Sequence, residues 1–220
     1  MMIVLAIDTA LENCAVAFSN GSETLQRVRT IGRGHAEILM VDMQALLADA
    51  GMPVSALERI AVSIGPGSFT GLRVGIAAAR ALALVGRIAV VGVSTLEVHA
   101  ARAAGLGSGG RPILALLPAR GDDAFGQLFS ADGTPIEAPV VAPLATFAAR
   151  AAADGLALAG AGARMLTGGA EPIHLDCAPC ITTLLALGAR LDPATHPPRP
   201  LYMKPADATP APASARIARR

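Results

Sequence analysis

The segment SIGPGSFTGLRVGIAAARALAL, residues 63–84, joins a β-branched run to a long apolar stretch through a glycine-rich turn. The stretch after the turn contains only two charged residues, both arginine, and so lacks the polar stripe of an amphipathic surface helix. Gly71, Gly75 and Ala79 recur every four residues, which leaves one face of the predicted helix smooth enough for another backbone to approach closely. The segment therefore predicts a strand, a tight turn and a helix that is covered on nearly every side.

The order of the elements around this segment indicates the fold class. Upstream lie three strand patterns, beginning with MIVLAIDT, and then the helical pattern HAEILMVDMQALLADAG. Downstream lie the strand IAVVGVS and a third helix, at whose start Ser94 and Glu97 have the spacing of a capping box. After a glycine-rich joint at 103–112, strands again precede helices. This order predicts two α/β lobes, residues 1–103 and 111–200, and then a C-terminal segment with a disordered tail, residues 201–220.

Composition narrows the class of protein. The chain has 220 residues, 53% of them hydrophobic, and a formal net charge of +1, which gives no general attraction to nucleic acid or anionic membranes. Its three cysteines are too few, and odd in number, for a secreted disulfide framework. The N-terminal apolar run lacks a preceding basic region, and no run is predicted to span a membrane. We therefore expect a cytoplasmic protein, whose Pro/Ala-rich tail with three arginines is either solvated or a contact for RNA.

The glycine turn matches neither of two well-defined phosphate motifs. A P-loop requires Gly-Lys-Ser/Thr, yet Leu72 follows Gly71. A dinucleotide fingerprint requires a third glycine where this chain has Thr70. Two interpretations remain open: the free N–H groups at the helix start bind an anion, or Ser68 or Thr70 caps them. The candidate anion site comprises Asp8 and Thr9, at the end of the first strand, with Gly65, Gly67, Ser68 and Thr70.

Two residue patterns resemble zinc sites of enzymes but lack some of the required ligands. His35-Ala36-Glu37 lacks the second histidine that a zinc protease needs. Cys177 and Cys180 have a proline between them and lie far along the chain from Glu37, unlike the ligands of a zinc deaminase. We interpret these cysteines as small apolar residues at a helix start, and we expect neither a metal site nor a catalytic residue.

The helices predicted at 35–50 and 70–86 both carry apolar residues well beyond one narrow face. Such a helix is covered on two sides, and its own sheet supplies one cover. The second cover is either another part of this chain or a partner chain, and we interpret it as a partner. The expected partner contacts are His35, Ile38, Leu39, Asp42, Met43, Leu46, Gly71, Leu72, Gly75 and Ala79.

Five segments together resemble one family. MIVLAIDTA, GHAEIL, IAVSIGPGSFTGLRVGIAAARALA and VVGVSTLE occur in the order found in the TsaB (YeaZ) family, and RPLYMKPADA resembles its closing segment. The resemblance is close over residues 1–100 and looser over 110–207, and GPGSFTGLR is its most specific motif. It implies an α/β, actin-like, two-lobed fold of the sugar-kinase and heat-shock ATPase class.

The same resemblance implies a function without chemistry of its own. TsaB-type chains are dimerization subunits of the bacterial complex that makes threonylcarbamoyladenosine in tRNA, in which a paralogous TsaD-type subunit transfers the threonylcarbamoyl group. The first two helices pair with the TsaD-type subunit, or with a second copy in its absence, and a TsaE-type ATPase joins the complex. This chain is thus expected to need no cofactor, to meet tRNA through the complex, and to leave ATP and metal to its partners.

Three departures from related chains bear on this expectation. The catalytic paralogue has paired histidines for a metal in the first-helix region, where this chain keeps only His35. Ala10 replaces a glycine of the first phosphate loop, so the turn at 65–71 is interpreted as part of a vestigial nucleotide or anion site. In the segment 118–129, Pro118 replaces an acid, which leaves the role of that segment open. The alternative function, an independent actin-like ATPase or metal-dependent hydrolase, requires bound metal or ATP turnover in the isolated chain.

Overall fold

The structure, a computed structural model, describes residues 2–166 and 178–203 and the backbone of 172–174. The expectations for Cys177 and for the tail beyond residue 203 therefore lie outside the described residues. Within them, the chain forms two five-stranded sheets that both contain parallel and antiparallel pairs, with helices packed against them. This confirms the predicted α/β class.

The first sheet comes from the N-terminal part of the chain. Its elements are β1 (Val4–Asp8), β2 (Asn13–Ser19), β3 (Thr24–Thr30), α1 (His35–Asp49), β4 (Arg59–Gly65), α2 (Phe69–Gly86) and β5 (Ala89–Ser94), with a short 3-10 helix at Val54–Ala56. The strand order is β3-β2-β1-β4-β5. β1 pairs antiparallel with β2 and parallel with β4, and α2 is the crossover between the parallel strands β4 and β5. The carboxyl ends of β1 and β4 therefore lie side by side, where the loops that follow them meet.

The second sheet has the order β10-β9-β6-β7-β8. The elements of this part are α3 (Thr95–Leu106), β6 (Ile113–Pro118), β7 (Asp123–Phe129), β8 (Val140–Pro143), α4 (Leu144–Asp154), β9 (Ala157–Ala159), a 3-10 helix at Ala161–Met165, β10 (Pro172–His174) and α5 (Ile181–Arg190). The predicted capping box is confirmed, since Ser94 and Glu97 both bond to backbone N–H groups at the start of α3. The joint predicted at 103–112 is shorter than expected, because α3 continues to Leu106.

Helix α5 returns to the first sheet although it follows the second in sequence. It covers the face of β1 and β4 opposite to the face that α1 and α2 cover. The contact is close, since a Cβ atom at Gly188 would lie 2.2 Å from the Cβ of Ala61. The guanidinium of Arg59, at the start of β4, donates to the carbonyl oxygens of Gly188, Ala189 and Leu191 at 3.2, 3.2 and 2.8 Å. By packing, α5 belongs to the first sheet, whereas the division of the chain into two lobes stays a prediction.

After α5, residues 192–203, here called the C-terminal strap, form a turn at 192–196 and then an irregular stretch, and they contact β4, β5 and α2. The backbone N–H of Leu201 donates to the carbonyl of Ile64 at 2.8 Å, and the N–H of Gly92 donates to the carbonyl of His196 at 2.9 Å. The guanidinium of Arg80 donates to the carbonyl of Pro198 at 2.6 Å. These bonds hold the strap over the unpaired side of β5, where the first sheet would otherwise end in free backbone groups.

Among the described residues, α2 is the one helix whose length and composition fit a membrane span, contrary to our expectation that none would. The fit concerns length and composition alone. In the structure α2 connects two neighbouring strands, and its glycine face packs directly on β1. These contacts assign it the role of a sheet-covering helix in an α/β layer.

Candidate functional site

The structure brings the two parts of the candidate anion site together. Asp8 ends β1 and Gly65 ends β4, and the loop after each strand contacts the other. The N–H of Ser68 donates to the carbonyl of Ala10 at 2.7 Å. The hydroxyl of Thr9 donates to the carbonyl of Gly71 at 2.7 Å. Sequence reasoning therefore grouped the correct residues, because adjacent parallel strands end at the same edge of a sheet.

These loops contact each other so closely that no side chain fits between them at the two glycines. A Cβ atom at Gly67 would lie 2.3 Å from the carbonyl oxygen of Ala10, and one at Gly71 would lie 2.1 Å from that of Thr9. The side chain of Ser68 accepts from the N–H of Gly71, so one of the donors at the start of α2 is satisfied internally. The geometry favours the capping interpretation of the glycine turn over the anion-binding one.

Asp8 is a buried carboxylate at the centre of this arrangement. Burial raises the pKa of Asp8 to about 6, although hydrogen bonds from the Ser63 hydroxyl and the Ala10 N–H, and the charge of His35, act in the opposite direction. Both bonds reach one carboxylate oxygen, Oδ1. The other, Oδ2, is buried and has no hydrogen-bond partner among the described residues. Asp8 is thus enclosed by its own chain and has no access to a substrate.

The first turn of α1 holds His35 in a structural role. Its Nε2 lies 3.1 Å from the carbonyl oxygen of Leu11, and its own carbonyl accepts a weak bond from the Cys14 thiol at 3.9 Å. Two turns further on, the buried carboxylate of Asp42 accepts two hydrogen bonds from the guanidinium of Arg29 at 2.7 and 2.8 Å. Within the described part of the chain, no three histidine, cysteine, aspartate or glutamate side chains lie together in a way that could hold a metal ion.

The residues expected to contact a partner do not form the outer surface of α1 and α2. All of them except the half-buried Ile38 are buried within this chain; they are His35, Leu39, Asp42, Met43, Leu46, Gly71, Leu72, Gly75 and Ala79. The smooth face of α2 meets β1, since a Cβ atom at Gly75 would lie 2.5 Å from the hydroxyl of Thr9. This placement corrects the expected contact surface at the level of side chains. That the two helices meet a partner stays a prediction.

Other apolar side chains lie on the outer faces of these helices. On α1, Met40 is 44% and Val41 is 60% exposed. Near the end of α2, Leu84 is 84% and Val85 is 86% exposed. Sequence analysis noted the excess of apolar residues on both helices but did not identify which of them point outward, because the positions of the sheet and of α5 were not known.

Two clefts lie beside the glycine turn. One, of about 460 Å³, separates the starts of α1 and α2 and is lined by Arg33, Glu37, Thr70 and Val74 among others. The other, of about 360 Å³, lies between the turn and the β6–β7 hairpin, where Pro118, Arg120 and Phe125 face Leu11 and Pro66. The segment 118–129, whose role the sequence left open, thus forms one wall of the second cleft.

Sequence reasoning missed a cluster of exposed rings at the start of α2. The ring centroids of Phe69 and Tyr202 lie 5.5 Å apart, and the guanidinium carbon of Arg73 lies 3.7 Å above the Phe69 centroid. Tyr202 comes from the C-terminal strap, which sequence analysis divided between the second lobe and the C-terminal segment. Its four prolines indicate a segment that does not continue the helix before it.

Comparison with known proteins agrees with the fold. The profile of the TsaD family, tRNA N6-adenosine threonylcarbamoyltransferase, matches residues 29–138. The solved structure of YeaZ from Pseudomonas aeruginosa is 30% identical in sequence and superposes with a TM-score of 0.76. The match covers 92% of this chain and 100% of that structure. The two mixed sheets therefore represent the actin-like α/β fold that the resemblance implied.

Relatives in sequence point the same way. The tRNA threonylcarbamoyladenosine biosynthesis protein TsaB of Escherichia coli is 34% identical over 131 residues, which are 60% of this chain and 56% of that protein. An uncharacterized protein of Mycobacterium tuberculosis H37Rv is 32% identical over 94% of both chains. The match spans about half the length of the TsaB proteins of Escherichia coli and Buchnera aphidicola. On the sequence motifs, the fold and these matches, the chain belongs to the TsaB (YeaZ) family.

Proposed function

We propose that this chain takes part in the formation of threonylcarbamoyladenosine in tRNA, as a non-catalytic dimerization subunit that supports a TsaD-type threonylcarbamoyltransferase. Its relatives in Escherichia coli, Buchnera aphidicola and Haemophilus influenzae are named as TsaB proteins of tRNA threonylcarbamoyladenosine biosynthesis. The proposal includes pairing with a second copy when the TsaD-type chain is absent and assembly with a TsaE-type ATPase. It places the protein in the cytoplasm and its contact with tRNA within the complex.

The observation that carries the proposal is the exposed apolar surface on α1 and α2. Met40, Val41, Leu84 and Val85 stand on the outer faces of two neighbouring helices whose inner faces already cover the first sheet. Exposed apolar side chains on helices that already cover their own sheet are candidates for contact with another protein. We define Met40, Val41 and Val85 as the outer apolar surface, and we infer that it is the part of α1 and α2 that contacts the partner. Leu84 is left out because it lies eleven residues after Arg73 and so points to the other flank of α2.

The enclosed candidate site supports a role without chemistry. Asp8 is inaccessible, and the loops that would have to cradle a phosphate contact each other through Gly67 and Gly71. A nucleophile or acid that acts on a substrate must reach it within hydrogen-bond distance, which this carboxylate cannot do without opening the fold. ATP and metal are therefore assigned to the partner subunits.

The test is a reconstitution with TsaD-type and TsaE-type proteins, tRNA, the threonylcarbamoyl donor and ATP. Incorporation of labelled threonine is expected to require this chain and to be absent with this chain alone. The double variant Val41→Glu/Val85→Glu should lose both incorporation and co-elution with the TsaD-type protein, because it places two charges in the outer apolar surface.

The matched control is Leu106→Glu, a charge placed on an exposed leucine at the end of α3, away from this surface. It should retain both properties. Full incorporation without the chain would refute the proposed function. Normal co-elution of the double variant would show that the contact surface lies elsewhere.

A further inference from the structure

One flank of α2 is basic and carries no acidic residue. Between residues 65 and 91 the chain has three arginines and neither aspartate nor glutamate. Arg73 and Arg80 are seven residues apart on α2, so Arg80 is rotated by only about 20° from Arg73, and Arg87 directly follows the helix. Phe69 lies one turn before Arg73 and shares their flank.

The C-terminal strap lies along this same flank. The Nε of Arg73 donates to the Tyr202 hydroxyl at 3.3 Å, and Arg80 donates to the carbonyl of Pro198 at 2.6 Å. Arg73 and Arg80 are seven residues apart on α2 and contact Tyr202 and Pro198, so the strap and α2 run side by side in opposite directions. The strap adds Arg199 to the surface and, from residue 193 to 203, no acidic residue.

Flat side chains are stacked on this surface. Arg73 lies over the Phe69 ring at 3.7 Å, and the rings of Phe69 and Tyr202 are 5.5 Å apart with their planes at 35°. Both rings are 49% exposed. The whole chain has five phenylalanines, one tyrosine and no tryptophan, so two of its six aromatic rings stand here, beside an arginine and open to solvent.

Within residues 2–166 and 178–203, no carboxylate is seen to pair with the positive charges on this surface. The hydrogen-bond partners of Arg73 and Arg80 are neutral oxygens. Among the described residues, the ion pairs of Arg27, Arg29 and Arg150 are seen, and none is seen for Arg73, Arg80 or Arg199. An anionic ligand would therefore gain their attraction without displacing a carboxylate.

We propose that this surface, formed by Phe69, Arg73, Arg80, Arg199 and Tyr202, binds single-stranded RNA. Unpaired bases stack on aromatic rings and on arginine planes, and phosphates are attracted by the flanking positive charges. The stack is already assembled, so an unpaired base extends it without ordering these side chains anew. That the RNA is the loop of a tRNA rests on the proposed function, whereas the binding of unpaired RNA does not.

The RNA surface and the outer apolar surface lie on different sides of α2. Val74 lines the cleft shared with α1, and Val85, eleven residues later, points in nearly the same direction. Arg80 points about 140° away from Val85, toward the strap. A partner on one side therefore leaves the other side accessible to RNA.

The experiment is fluorescence anisotropy with the full chain and two probes, a labelled single-stranded oligouridylate and an RNA duplex of equal length. Tyr202→Leu should weaken binding of the single strand about fivefold to tenfold, as loss of one stacked base does. Arg73→Gln should weaken it similarly and reduce its salt dependence, because one phosphate contact is lost. Since these side chains are exposed, thermal unfolding of the variants should match that of the parent.

Two controls accompany these variants. Tyr202→Phe retains the ring and should bind within about twofold of the parent, as should Arg102→Gln, which removes an exposed arginine from α3. No binding of the single strand at micromolar concentration would overturn the proposal. So would equal binding of the duplex that is unaffected by Tyr202→Leu, which would reveal attraction by charge alone.

A third outcome concerns the partner. If Tyr202→Leu abolishes co-elution with the TsaD-type protein but leaves RNA binding intact, the surface is a protein contact and the RNA proposal is wrong. If the reconstitution instead shows that the chain is dispensable while RNA binding depends on Tyr202 and Arg73, the proposed function fails and the RNA surface stands.

Discussion

Replacing Asp8 with asparagine should stabilise the protein above pH 6 and leave its stability nearly unchanged below pH 4. Burial raises the pKa of Asp8 from 3.8 to about 6 in the folded protein. Because one pKa unit corresponds to 1.36 kcal/mol, ionised Asp8 costs the folded state about 3 kcal/mol relative to the unfolded chain. An asparagine side chain has the same shape and never ionises, and its carbonyl oxygen can still accept from Ser63 and Ala10.

The sign of the effect follows from proton binding. Between pH 3.8 and about 6 the folded protein holds a proton that the unfolded chain has released, so the free energy of unfolding falls as the pH rises. The stabilisation from protonated Asp8 is complete below pH 3.8 and is lost above about pH 6. Exposed carboxylates with lowered pKa, such as Glu137 beside Arg150, change stability in the opposite sense at lower pH, and they do so equally in both proteins.

The assay is urea unfolding of the parent and of Asp8→Asn at half-unit steps from pH 4 to pH 8. The difference between the two free energies of unfolding should grow by about 2.5 kcal/mol across this range and level off above about pH 7. Ser63→Ala, which removes a hydrogen bond that lowers the pKa of Asp8, should move the levelling to higher pH. Parallel curves for the parent and Asp8→Asn would refute the reasoning that burial disfavours the ionised carboxylate.

Three further predictions concern the packing of the first sheet. Gly71→Ala should destabilise the protein by about 2 kcal/mol, because its Cβ would lie 2.1 Å from the Thr9 carbonyl oxygen. Its control, Gly105→Ala, places a methyl group in open space on α3 and should stabilise the protein by about 0.5 kcal/mol. Equal urea midpoints for the two variants would contradict this prediction. Arg59→Met should lower the free energy of unfolding by about 2 kcal/mol, because the carbonyls at the end of α5 lose their donor. Arg59→Lys should restore part of this stability. An unchanged urea midpoint for Arg59→Met would show that Arg59 does not stabilise the end of α5. Burial raises the pKa of the Cys14 thiol to about 11, so iodoacetamide at pH 8 should alkylate Cys14 only after unfolding in urea, and peptide mass spectrometry would reveal any reaction in the folded state.

The sequence predicts best those elements whose signals are local. The helix α3 begins where the capping box predicts, and β1, β4 and α2 follow the apolar runs and the glycine turn. The four-residue strand β8 has no such signal, because four residues carry too little periodicity to separate a strand from a loop. Its place in the second sheet depends on pairing with β7, a tertiary contact.

The candidate site shows the same limit. The motif predicts that Asp8 and the turn at 65–71 meet, but their distance depends on how deeply α2 settles on β1, which no single segment determines. Likewise, the recurrence of Gly71, Gly75 and Ala79 predicts a smooth face and does not say what touches it. The structure shows that this face contacts β1 of the same chain, so a partner of α1 and α2 would contact other side chains.

Because α5 packs on the first sheet, that sheet is fully covered only after the second half of the chain has been synthesised. A ribosome that has added residue 106 has produced all five strands of that sheet and both helices on one of its faces. The opposite face, with Val4, Ala6 and Ala61, is covered only in part, by α3, until residues 181–190 are synthesised. A nascent chain stalled in the second half, or a gene truncated there, would therefore expose an apolar sheet face, and the N-terminal half is not expected to survive as an independent fragment.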